Sequence, residues 1–131
     1  MDKKLEEKLD AITPTKLKQV RKVSFKYTAL ALTGVRLEEP SPLTGLITEV
    51  TMHWPDGCGS PAGPLVAMSF GHGGISVSPV SGMLWLNNAT PSWRNLNEEV
   101  KKGETLWAVI ENHDGLNPHN LSIIIVIQGV E

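Results

Sequence analysis

This sequence predicts an all-β protein: one antiparallel β-sandwich over residues 23–131, led by a short basic helical arm over residues 1–22. Three observations carry the prediction. Short apolar segments recur along the chain, with a turn signal about every 8–12 residues. Gly 12 and Pro 9 in 131 residues supply the punctuation that many short strands need. In the last third, Thr105–Gly129 holds two strand-length apolar runs around a polar segment, and Ser122–Ile127 is a serine followed by five β-branched aliphatics. Such a run suits a strand buried on both faces.

The arm comes first. Leu5, Leu9 and Ile12 recur at spacings of four and three with charges between them, so residues 2–12 are expected to be an amphipathic helix. A helix this short is marginal alone, and its thin stripe needs a surface to lie on. Pro14 disfavours helical geometry at Thr13 and ends the segment. Thr15 is placed to cap a further turn or two carrying Leu17 and Val20. Leu5, Leu9, Ile12 and Leu17 are therefore candidate interface residues.

The strands follow. Val23, Phe25 and Tyr27 alternate with Ser24, Lys26 and Thr28, a half-buried strand. A phase shift at Ala29–Leu32 predicts a bulge or a change of environment. Gly34 to Gly45, with Pro40 and Pro42, is expected to be a loop. Leu46, Thr48, Val50, Met52 and Trp54 form the next alternating strand, and Pro55 to Pro64 a long irregular loop. Val66, Met68 and Phe70 mark another strand, Ile75 and Val77 a short one, and Met83–Leu86 an apolar one. Asn87–Asn97 is expected to be a loop, Val100–Glu104 a turn, Leu106–Ile110 a strand, and Asn112–Asn120 a connection too long for a tight hairpin.

Composition narrows the function. Hydrophobic residues at 40% and charged residues at 20% describe a globular chain with a substantial core. Net charge is −2, but residues 1–26 hold eight Lys/Arg against four acids while the rest hold four against ten. Acids interspersed in the basic segment favour docking on the acidic face of a neighbouring copy, or simple solubility, over nucleic-acid contact. The single Cys58 excludes an intrachain disulfide. With no secretory h-region after Met1 and no membrane-length apolar run, synthesis in the cytoplasm without membrane insertion is expected. The triplets Asn88-Ala89-Thr90 and Asn120-Leu121-Ser122 are then chance matches to a glycosylation acceptor.

No catalytic motif emerges. His113 and His119 flank the Asn112–Asn120 segment with Asp114 and Asn117 between them, a candidate ligand loop. No close His pair lies on one element, so capping of strand ends and loop hydrogen bonds is the favoured role, and no metal is expected. His72, flanked by Gly71, Gly73 and Gly74, reads as a turn, and the spacing is not that of a phosphate loop. His53, Asp56 and Cys58 are close in sequence, but nothing locates an orienting group or oxyanion donors for a cysteine nucleophile. Trp85 and Trp107 read as core or interface anchors. Trp93 and Arg94, in a loop, are the residue types that protein contacts favour, and they join the candidate interface.

The cadence VKKGETLWAVIEN followed by HNLSIIIVI resembles the closing strands of jelly-roll proteins, of viral capsid type among others. The resemblance implies a jelly-roll-like sandwich. The metal-binding cupins share that fold but use two histidines one residue apart followed by a glutamate, which this chain lacks. The expectation is a non-enzymatic subunit, without cofactor, that self-associates as a homo-oligomer, a trimer being favoured. A virion or particle component (decoration, spike or head–tail accessory protein) is its most concrete form. The alternative is a carbohydrate- or small-ligand-binding module using Trp93, Arg94 and the loop His113–His119, and a metalloenzyme is a third reading.

Overall fold

Early strands pair with late ones throughout this chain. The computed structural model describes residues 18–131, so Leu5, Leu9, Ile12 and Leu17 of the expected arm lie outside the described residues. Twelve strands follow: β1 (Gln19–Ala29), β2 (Thr33–Pro40), β3 (Thr44–His53), β4 (Gly59–Ser60), β5 (Gly63–Pro64) and β6 (Val66–His72), then β7 (Ile75–Ser78), β8 (Leu84–Leu86), β9 (Ser92–Trp93), β10 (Glu98–Val100), β11 (Thr105–Asn112) and β12 (His119–Val130). One five-stranded sheet has the order β1-β12-β3-β10, with β9 also on β3; a second has β2-β11-β6-β7, with β8 also on β6; β4 and β5 pair as a separate two-stranded sheet. All pairings are antiparallel, and they nest: β1 with β12, β2 with β11, β3 with β10, β6 with β7. The molecule is an all-β antiparallel sandwich, as the turn cadence and alternation predict.

Its core is largely where the alternation puts it, except that a register shift in β3 buries Ile47 in place of Leu46 and Thr48. Phe25, Val50, Met52, Met68, Phe70, Leu106, Ile110, Ile123, Ile125 and Ile127 are buried between the sheets. Trp54 is fully buried, and its indole N–H donates to the Val66 carbonyl at 3.0 Å, which satisfies the one polar atom that this large ring carries inside.

Several expectations are corrected. Residues 34–45 are not a loop: β2 occupies most of them, with Val35 and Leu37 turned to the core and Arg36 and Glu38 outward. As the edge of its sheet, β2 can end in Pro40 without losing a ladder bond. Val20 is not on a helical turn, because β1 begins at Gln19 and leaves Val20 61% exposed on a strand. The phase shift at Ala29–Leu32 is a tight turn, with Leu32 at φ 57° and the Thr33 N–H on the Leu30 carbonyl at 3.2 Å.

The double burial expected of Ser122–Ile127 belongs to another strand. In β12, Leu121, Ile123, Ile125 and Ile127 are buried while Ile124 and Val126 are half-exposed on the outer face. In β6 every residue is buried. The outward positions of β6 are small (Ala67, Ser69, Gly71), and Trp85 and Trp107 stand opposite two of them on neighbouring strands. Small residues under large neighbours lose water, whereas Ile124, between Ser24 and Thr51, and Val126, between Lys22 and Glu49, have no such cover.

Candidate functional site

The end of the sandwich where β11 passes to β12 is built around Asn112, the last residue of β11. Its side chain is fully buried. Nδ2 donates to the carbonyls of Ala29 at 3.0 Å, Leu30 at 3.3 Å and Asn117 at 3.1 Å, and Oδ1 accepts the Asp114 N–H at 2.9 Å. Asp114 extends the network. Its Oδ1 accepts the N–H groups of Leu116 at 2.9 Å and Asn117 at 3.3 Å, and its Oδ2 lies 2.8 Å from Nε2 of the buried His119. The Leu116 N–H, then the His119 ring and Asn117, hold the Asp114 carboxyl below the usual carboxylate range. The Leu32 N–H donates to the Asp114 carbonyl at 3.1 Å and pins the β1–β2 turn to the same loop.

Three of the four residues expected of a ligand loop are thus brought together: Asp114, Asn117 and His119 bond one another or the loop backbone. His113 turns away. It sits edge-on to Trp85, ring centroids 4.8 Å apart, with Nε2 3.3 Å from Glu111 Oε2. Asp114 and His119 are thus bonded within the loop, whereas His113 is not. Beside the exposed His113, Asn117 and Asn120, this end exposes three leucines, Leu116 on the loop and Leu30 and Leu32 on the β1–β2 turn. Leu30 at 61%, Leu32 at 72% and Leu116 at 87% exposure stand on this rigid frame at one end of the molecule. No group of three among the described residues is arranged as metal ligands.

Trp93 and Arg94 sit at the β9 edge of the first sheet. Trp93 is opposite Val50 and half-buried against the core. Arg94 is exposed, its Nε 3.6 Å from Glu49 Oε1.

Cys58 is buried near this end, and His53 is not its partner, since His53 Nδ1 bonds Thr90 Oγ1 at 2.8 Å. Burial, then the negative charges of Asp114 and Asp56, push the thiol up to about 11. A thiol so placed stays protonated at neutral pH and is a poor nucleophile.

At the opposite end lies a cluster that no spacing in the sequence announces. His72, 2% exposed at the end of β6, bonds Glu104 through Nδ1 and Glu98 Oε2 through Nε2 at 3.0 Å. The two carboxylates approach opposite nitrogens of the ring and do not converge on a common point, so the three are not a cation cage. Only the glycines around His72 mark the place in the sequence; its partners are 32 and 26 residues away.

No protein family and no curated protein matches this sequence. Among solved structures, the fold is similar to a chain of the cyanophage Pam1 capsid asymmetric unit, with a TM-score of 0.56 and 14% identity over 87% of this chain and 86% of that one. A chain of the disulfide-linked pili that form Bacillus endospore appendages gives a TM-score of 0.47 and 16% identity over 87% and 90%. FLHE gives 0.43 and 15% over 86% and 98%. The likeness to the capsid chain is one of fold.

Proposed function

We propose that this chain is a non-enzymatic structural subunit that self-associates, as a homotrimer, within a larger particle such as a virion. The observation that carries the reading is the leucine-bearing end. The backbone of Leu30, Leu32 and Leu116 is tied into a buried network of hydrogen bonds, and their side chains stand exposed. A fixed exposed apolar patch fits a protein partner better than it fits solvent. The outer face of β12, with Ile124 and Val126 half-exposed, adds a second apolar surface.

Strand order supports the more specific form. Nested pairing, with sheets β1-β12-β3-β10 and β2-β11-β6-β7, is the arrangement of an eight-stranded jelly roll, a fold that capsid and lectin domains use. The similar chain of known structure comes from a capsid asymmetric unit. The candidate interface on this reading comprises the leucine end, Trp93, Arg94 and the stripe of Leu5, Leu9, Ile12 and Leu17.

The test is the native mass by light scattering of the intact chain, of Leu32→Asp/Leu116→Asp, and of a deletion of residues 1–17, which leaves β1 whole. The intact chain is expected as a trimer. Both changes are expected to lower the mass without loss of β-sheet circular dichroism. A monomeric intact chain removes the reading.

A further inference from the structure

We infer that His72 is held as an imidazolium that fastens β10 to β6, a proton-controlled clasp between the two sheets. The argument begins with donors and acceptors. A neutral imidazole carries one N–H and one lone pair, and an ionised carboxylate only accepts. His72 has a carboxylate on each ring nitrogen: Glu104 on Nδ1 and Glu98 on Nε2, the latter at 3.0 Å. A neutral ring would turn a lone pair on one of those carboxylates, inside a site where His72 is 2% exposed. With both nitrogens protonated, both contacts become charge-assisted hydrogen bonds.

The surroundings set the same preference. Glu98 comes from β10, at the edge of the first sheet, and Glu104 from the turn that joins β10 to β11. That turn is fixed at three points: the Gly103 N–H on the Ser41 carbonyl at 2.8 Å, the Ser41 N–H on the Glu104 carbonyl at 2.8 Å, and the Lys102 N–H on Thr44 Oγ1 at 2.9 Å. The other strands flanking β6 here place the uncharged Leu106 and Ile75 opposite His72. Lys101 is the nearby cation; its backbone N–H donates to Glu104 Oε1 at 3.2 Å. Burial works against a charged ring, but the bonds to Glu104 and then Glu98 outweigh it and raise the His72 pKa.

The clasp matters because β10 is short. It pairs with β3 through Glu98, Glu99 and Val100 alone, and His72 ties its first residue to the other sheet. Loss of the proton leaves one ring N–H for two carboxylates, so one of the two bonds is lost and the hold on the end of β10 weakens. Above the carboxylate range, the clasp is closed below the ordinary histidine value and opens as pH rises through the folded value.

The experiment is an NMR pH titration of the intact chain and of Glu104→Gln, with amide exchange read as protection factors, which remove the intrinsic pH dependence. Two ring N–H signals are expected for His72 below its titration midpoint, which is expected above about 6.5. Protection at Glu98–Val100 is expected to fall with deprotonation, about tenfold for each unit by which the fold raises the midpoint. Glu104→Gln is expected to bring midpoint and loosening down in pH together. A midpoint at or below about 6.5, or β10 protection that ignores the titration, overturns the inference.

Discussion

Gly45 and Gly129 stand opposite each other where β3 meets β12, and neither has room for a methyl group. A Cβ at Gly45 would come within 2.0 Å of the Gln128 carbonyl oxygen, and one at Gly129 within 2.1 Å of the Thr44 oxygen. The obstacle is backbone on both sides, so the strands must separate to admit it. Gly45→Ala or Gly129→Ala is expected to cost about 2–3 kcal/mol in urea unfolding. Gly74→Ala meets no atom within 4 Å and serves as the neutral control.

Asn112 ties three carbonyls and one N–H from the turn and the loop to a single buried amide. Asn112→Ala leaves those groups without partners and is expected to cost about 3 kcal/mol, a desolvation penalty set against modest packing loss. Because the network fixes Leu32 and Leu116, the same variant should also lower native mass at temperatures where it remains folded. A variant as stable as the parent would show that the loop holds its shape without this side chain.

Acid should weaken the fold at both ends. Asp114 and Glu104 have folded pKa values below their ordinary ones, Glu104 through His72 and then the Lys101 N–H against the opposing effect of burial. A lowered value means that the stabilisation is fully present above the unfolded value and is lost as pH falls through the folded one. Urea midpoints measured from about pH 6 downward are expected to fall below about pH 4, and Asp114→Asn and Glu104→Gln should each flatten that fall.

Cys58 offers a probe of opening. Its thiol is buried and raised to about 11, so alkylation by iodoacetamide near pH 8 should be slow in the native state and fast in urea. The ratio of the two rates reports the free energy of exposing the loop end. Rapid native labelling would mean that this end opens readily.

The sandwich was legible where side chains alternate cleanly, as in β1, because a strand with one wet face and one dry face writes its geometry into every second residue; in β3 a register shift puts Ile47 in the core in place of Leu46 and Thr48. It was illegible in β2. There Gly34, Pro40 and Pro42 spoke louder than Val35 and Leu37, although proline at the end of an edge strand breaks nothing. Burial of both faces was assigned to β12 on its branched residues, yet shelter depends on neighbours, and Trp85 and Trp107 stand over β6 instead. The loop chemistry of Asp114 and His119 was within reach because both lie in one segment. His72 with Glu98 and Glu104 was not, since only the folding of β10 against β6 brings those groups together.

Because β1 and β12 are partners along their whole length, Gln19 faces Gly129 while Ala29 faces His119. The described chain therefore starts and finishes at one pole, about 33 Å from the leucines by the rise of an eleven-residue strand. A fluorophore on the exposed Gln128 would mark that pole and leave the opposite one clear.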